Sequence, residues 1–418
     1  MIRRLATIFS NKKVMVRLAI TLALLLVFRF VSYIPIPYIE AADLRGGFFE
    51  ILNSFTGGAF SRFSVLALGI SPYITASIVI QLLQMVIPAV KEWSEQGEEG
   101  KQKVNRVTRY LAIFLAFVQG LALVIGFKQT SLVASVVNVT AFQIIYMSLI
   151  IAAGTAFSIW IADLITKKGI GNGTSLLIVI GIISSFPNMF KELGAQYLTN
   201  PSFGNVMIFI AVIVLLIAVL LGVVYLQIAT RKIPIQYANR QGKSDSHIPM
   251  KLNSAGVIPV IFASTIMSIP LTFAQIFSKN ISQNGWLVQI FSSEKPIGFI
   301  IYVFLIVIFS FFYSFMTIDP EKIAEDLSKS NAYIRGIRPG EDTKNYIARV
   351  LFKITVIGTI YLVVLAILPI VTAMLIPSLP AAVQIGGTGL LIVVGVATET
   401  TQQIETDAEQ AQYSGIFK

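Results

Sequence analysis

Catalysis inside a membrane needs a nucleophile beside its base, a pair of carboxylates or a bound metal, and the residue types that build such sites are thinly spread in this sequence. The only histidine, His247, lies in the polar stretch "SDSHIPMK". Cysteine is absent, which removes thiolate metal sites and disulfides and leaves the redox compartment unread. Asp163 and Glu399 fall near the ends of apolar runs, and no phosphate loop of the form G-x-x-x-x-G-K-[ST] occurs. No catalytic residue, metal site or cofactor is expected, so any ATP hydrolysis has to come from a partner. The sequence does offer branched aliphatic residues at matched positions of two repeats. Their chemistry is exclusion: a narrow apolar constriction stops ions because water does not wet it.

The matched positions come from two pairs of strings. "NGTSLLIV" (172–179) returns as "GGTGLLIV" (386–393), 214 positions later, and "GISPYITAS" (69–77) returns as "GVIPVIFAS" (256–264), 187 positions later. The pairing sets Ile74 against Ile261 and Ile178 against Ile392. For any one of these isoleucines, ordinary helix packing is the simpler reading. As a set at the centre of two related halves, they make a seal.

The elements that would carry them are membrane helices. Of 418 residues, 55% are hydrophobic and 13% charged, with mean hydropathy +0.78. Apolar runs close to the roughly 20 residues of a membrane-crossing helix recur throughout, without the alternation of a β-barrel. Ten spans are read at 16–35, 70–88, 108–127, 142–165, 173–190, 205–227, 254–276, 298–317, 350–370 and 386–403. The first run lacks a small-residue cleavage site and reads as a retained span. With both termini on one side, 25 of the 32 Lys and Arg fall on that side, which the positive-inside rule makes cytoplasmic. The net charge of +11 is then a sign of topology.

Span five starts from the cytoplasm and span ten from outside, although their strings match, and spans two and seven are opposed in the same way. Two pairs related as span n to span n+5 with reversed direction imply two five-helix halves, 1–200 and 201–418, related by a pseudo-two-fold axis in the membrane plane. A secondary transporter for small solutes shares that signature and is the alternative reading. It usually needs ionisable groups near the midplane, where these spans have almost none.

Five ordered stretches carry a resemblance: "GGAFSRFSVLALGISPYITASIVIQLLQ" (57–84), "KKGIGNGTSLLI" (167–178), "HIPMKLNSAGVIPVIFAS" (247–264), "YIRGIRPGEDT" (333–343) and "IGGTGLLIVVGVATET" (385–400). They are similar to the SecY family of protein-conducting channels. The resemblance implies an all-α clamshell of ten helices around an hourglass pore that passes unfolded secretory polypeptides and releases transmembrane segments sideways into lipid. It places a pore ring on Ile70, Ile74, Thr174, Ile178, Ile261 and Ile392. It places a plug at about 55–66, with Phe55, Thr56, Gly57, Gly58, Ala59, Phe60, Ser61 and Arg62 at its heart, and a lateral gate between spans two and seven. The partners it implies are a SecE-like small subunit, a SecG-like one, the SecA motor ATPase, the ribosome, signal sequences and the lipid itself, all at a bacterial plasma membrane. Thr174 stands where the family usually has Ile. With Gly389, the "KKGIGNG" variant and short external loops, it is a departure that an accessory paralogue with few clients would carry, although a housekeeping channel subunit is the first reading.

Side-chain chemistry sharpens these expectations. Thr174 should wet the seal unless its hydroxyl bonds back to the helix. Thr75, Gln81 and Gln84 on span two and Asn253 at the entry of span seven are expected to bond across the gate, at about 0.6 to 2 kcal/mol a pair. The loops 228–252 and 318–349 exceed what connection requires, and Arg231, Lys232 and Arg338 are the residues expected to meet a motor or ribosomal RNA phosphates. Arg29, inside span one, is costly to bury. It could snorkel, cap neighbouring carbonyls or hold a second subunit, and the sequence does not choose.

Overall fold

The computed structural model describes residues 12–37, 53, 56–130, 140–199, 202–237, 246–277, 286–292, 295–375 and 381–416, and ten long helices occupy the predicted spans. Spans one to five are α1 (Lys12–Val31), α2 (Ser71–Val86), α4 (Gly97–Thr130), α5 (Ala141–Lys168) and α6 (Gly173–Leu198). Spans six to ten are α7 (Phe203–Ile228), α8 (Ile258–Phe277), α10 (Pro296–Thr317), α12 (Glu341–Leu375) and α13 (Ala381–Ile416). Short helices α3 (Pro88–Glu95), α9 (Trp286–Phe291) and α11 (Pro320–Lys329) link them.

Local chemistry sets the starts. Asn172 caps span five by accepting from the Thr174 amide, Thr140 and Gln143 form a capping box on span four, and Pro occupies the first turn of spans two and eight. Spans three, nine and ten run beyond their apolar cores, because the polar sequence at 97–107, 341–349 and 404–416 continues the helix into water.

Among the described residues, seven helices are individually long and apolar enough to cross a membrane. Span two is not: its 16 residues make about 24 Å, short of the roughly 30 Å of hydrocarbon. It begins only after the buried turns of residues 56–70, so it starts inside the protein. Span six shows the opposite environment, with Met207, Ile210, Val214, Ile217 and Leu221 exposed along it as a lipid-facing side requires.

Spans two, three and four pack on one another, and span eight packs on both seven and nine. Span ten lies along five and six, while seven meets both two and three. The spans that share strings, two with seven and five with ten, are therefore neighbours. One large apolar cluster joins them, with Ile70, Ala76, Leu177, Ile178, Val260, Ala263, Leu391 and Ile392 all buried in it.

The two long loops do not project separately. β1 (Thr230–Tyr237) and β2 (His247–Lys251) from the first pair with β3 (Ala332–Ile334) from the second, in the order β2-β1-β3 and antiparallel throughout. The register sets Lys232 opposite Pro249 and Ile235 opposite Ile334. One face, formed by Ile233, Ile235, Met250 and Ile334, is buried against Leu327 of α11 and Ile347, Val350 and Ile354 of span nine.

Candidate functional site

Five of the six expected ring residues converge. Ile70 is the residue just before span two and Ile74 lies one turn on, its amide bonded to the Ile70 carbonyl at 3.2 Å, so both occupy one face. Ile178 comes from span five, Ile261 from the first turn of span seven and Ile392 from span ten. Ile70, Ile178 and Ile392 are buried in the central cluster, and Ile74 and Ile261 pack against it. Four helices from both halves thus contribute aliphatic side chains, which offer no hydrogen bond, to one apolar cluster.

Thr174 is the exception. It stands in the first turn of span five, where its hydroxyl donates to Asn172 Oδ1 at 2.7 Å and its amide donates to the same oxygen at 3.1 Å. The hydroxyl is taken up by the cap, and Thr174 is half-buried one helical turn from Ile178.

Against spans one and five lies the segment 56–62, a run of turns; Phe55 lies outside the described residues. Gly57 and Gly58 adopt φ +64° and +83°, which favours glycine. A Cβ on Gly57 would strike Ser184 Oγ, the Arg29 guanidinium and the Gly181 carbonyl, so this turn is wedged between spans one and five. Ala59 and Phe60 are buried, and Phe60 and Phe63 join Ile36, Leu123, Val124, Met147 and Ile151 in a second cluster between spans three and four.

Among the described residues, no polar bond joins Thr75, Gln81 or Gln84 to Asn253. Thr75 donates to the Ser71 carbonyl and Gln81 to Ser77 Oγ, both within span two. Asn253 donates to Gln227 Oε1 of span six at 3.3 Å and to the Gly256 carbonyl at 3.0 Å, holding the turn that leads into span seven within its own half. Gln84 is half-buried. Hydroxyl groups on a helix reach the carbonyl one turn back more readily than a neighbouring helix. What meets between spans two and seven is apolar: Ile78, 2% exposed, is buried with Phe262 and Phe309, and Ile74, Ile258 and Ile266 pack around them. Phe262 stands edge-on to Phe309, with centroids 5.7 Å apart.

On the basic end, Arg231 and Lys232 are exposed on β1 and Arg338 on the turn after β3. The Arg338 carbonyl accepts from Thr343 Oγ1 at 2.8 Å, which fixes the turn before span nine. Asp163 is paired with Arg109 at 2.6 Å between spans four and three, and so is not a free carboxylate for ion coupling.

Sequence reasoning missed Gln227, Ile78, Phe262, Phe309 and the contacts of Arg29 and Tyr33. For Ile78 a signal existed, since it lies one turn beyond Ile74 on the same helix face.

A SecY family model matches residues 64–401. The protein translocase subunit SecY of Staphylococcus aureus is 41% identical over 433 residues, covering 100% of this chain and 99% of that one. A solved structure on how the plug domain of the SecY protein stabilises the closed state of the translocation channel and maintains a membrane seal superposes with TM-score 0.66 and 21% identity, over 94% of this chain and 92% of that one. Sec61 in the canine ribosome-channel complex from the endoplasmic reticulum gives TM-score 0.66 and 20% identity with the same coverage. At those identities the two structures establish the shared fold, and the S. aureus relative and the family model establish the family.

Proposed function

The chain belongs to the SecY family, and from that premise we propose that it is the channel subunit of a protein translocase in a bacterial plasma membrane. Unfolded secretory polypeptides pass between its two halves, 1–200 and 201–418, and transmembrane segments leave sideways between spans two and seven. Both termini face the cytoplasm. The observation that carries this reading is the convergence of Ile70, Ile74, Ile178, Ile261 and Ile392 from four helices into one apolar cluster. A solute transporter would want polar ligands there, while a gasket for a chain of varying side chains wants branched aliphatics that deform and bond to nothing.

The remaining parts follow from the same arrangement. Residues 56–62 fill the space beside the ring and act as the plug. The seam around Ile78 is the lateral gate, where an apolar signal helix can replace Phe262 and Phe309 as a partner without exposing any polar group. The three-stranded sheet presents Arg231 and Lys232, and Arg338 lies just after it. These three form the docking face for a SecA-like motor or for ribosomal RNA phosphates. A SecE-like subunit clamping the halves, and a SecG-like one, complete the assembly. The relative's name supports the translocase assignment, and the canine complex supports the ribosome as one partner of this fold.

The test places a photo-crosslinking residue at Ile261 in cells carrying a secretory protein stalled in mid-export, with lipid-facing Leu221 as the control. An adduct at Ile261 and none at Leu221, lost when the signal sequence is deleted, is the expected result. Equal labelling at both positions, or none at Ile261, would return the transporter reading to the front.

A further inference from the structure

Arg29 occupies the last turn of span one, where a guanidinium persists only if its donors are matched. Its partners all lie on or beside the plug. Nη1 donates to the Gly57 carbonyl at 2.7 Å and to Ser32 Oγ at 3.3 Å, and Nη2 donates to the Tyr33 hydroxyl at 3.0 Å. Arg62, five residues along the plug, comes back to the same place: Nη2 donates to the Gly57 carbonyl at 3.2 Å and Nε to the Gly58 carbonyl at 3.0 Å. Both guanidiniums lie over the Tyr33 ring, 4.7 Å from its centroid for Arg29 and 4.2 Å for Arg62.

The other end of the segment is fastened differently. Ile36 donates to the Phe63 carbonyl at 2.8 Å and Val65 to the Ile34 carbonyl at 3.0 Å, an antiparallel clasp centred on Pro35 and Ser64. Phe63, at φ +47° and fully buried, locks that clasp into the apolar cluster between spans three and four. Residues 63–65 are thus anchored by packing that has no reason to release. The Gly57 carbonyl is held by charge-assisted bonds from a side chain of span one, shared with a second cation that repels it, while the Gly58 amide donates to the Asn53 carbonyl at 2.8 Å and Phe60 shares the apolar cluster of Phe63.

We infer that Arg29 is a positioning residue, a latch that holds the Gly57 end of the plug shut against span five, with Tyr33 and Arg62 as its keepers. Opening then swings 56–62 about the 63–65 clasp and draws Phe60 out of the cluster it shares with Phe63. The latch is strong because its bonds are charge-assisted, and releasable because two like charges share one carbonyl and one ring. This inference rests on the reading of 56–62 as the plug.

The test measures resting ion leak, and export of a preprotein without its signal sequence, in vesicles holding the full channel with its small subunit. Deletion of 57–61 is the reference, followed by Arg29→Met, Arg29→Lys, Arg62→Met and Gly57→Ala. Deletion should leak. Arg29→Met should raise the leak about tenfold, as loss of one charge-assisted bond implies, and should add nothing on top of the deletion. Arg29→Lys should fall between, since a single ammonium cannot span three acceptors. If Arg29→Met does not accumulate, Arg62→Met and Gly57→Ala should leak in its place. A leaking deletion with wild-type seals in Arg29→Met and Arg62→Met would overturn the latch and leave the plug standing. A deletion that does not leak would overturn the plug reading itself.

Discussion

In the proposed reading, the plug seat and the gate seam close the same channel with opposite chemistry. At the seat, Arg29 and Arg62 hold the Gly57 carbonyl through directional, charge-assisted bonds, with both guanidiniums over the Tyr33 ring. At the seam, Ile78 sits among Phe262, Phe309 and their aliphatic neighbours with no polar bond drawn between spans two and seven among the described residues. Each barrier yields to what can replace it. An apolar helix in lipid offers the seam the same dispersion contacts it already has, so a signal sequence can part it at little cost. The seat can be vacated only when water or a polar backbone satisfies Arg29. The two barriers therefore answer to different parts of one substrate, the signal helix for the seam and the following hydrophilic chain for the seat.

The largest effect that would break this comparison lies between them, at the ring. Ile392→Asp puts a carboxylate at a position 1% exposed in the central cluster. Hydration of that charge should wet the constriction, and resting conductance in a planar bilayer should rise by at least an order of magnitude while the plug bonds stay intact. Next comes Ile78→Ala, which empties the seam of its central side chain. By about 2 to 4 kcal/mol of lost packing, the gate should admit less hydrophobic signals, measured as export of a graded signal series, with leak changed far less than by Arg29→Met.

Asn253→Ala should cost about 1 to 2 kcal/mol of stability through its lost bonds to Gln227 and Gly256. Because those bonds lie within one half, its effect on the signal threshold should be additive with Gln81→Ala. Coupling above about 1 kcal/mol would mean the two meet across the gate after all. The smallest effect belongs to Thr174→Ile. With its hydroxyl committed to Asn172, replacing it should loosen the cap by about 1 kcal/mol or less and leave conductance within twofold of the parent.

Much of this architecture was legible in the sequence. The spans follow from apolar run length, and the contacts of two with seven and five with ten follow from the inverted strings. Run length could not show that span two begins inside the protein, because residues 56–70 are apolar enough to be buried without being helical. The sheet was missed although "TRKIPIQY" alternates its isoleucines: Pro234 and a chain of basic residues read as a solvated loop, and the β3 partner lies about a hundred residues away. Polar gate bonds were expected because Thr75, Gln81 and Asn253 stand on facing elements, but sequence does not say whether a hydroxyl or amide turns to its own helix or its neighbour. Arg29 was legible as costly and illegible as a latch, since Gly57 reaches it only through the fold.

The most direct measurement uses the absence of cysteine. Single cysteines at Ile74, Ile178, Ile261 and Ile392 are each combined with one cysteine stepped along a stalled preprotein, and disulfide yield is mapped. All four isoleucines should give their best yield with the same few preprotein positions, as a ring at one depth enclosing the chain from both halves requires. Maxima on one half only, or spread over many preprotein positions, would contradict a common waist.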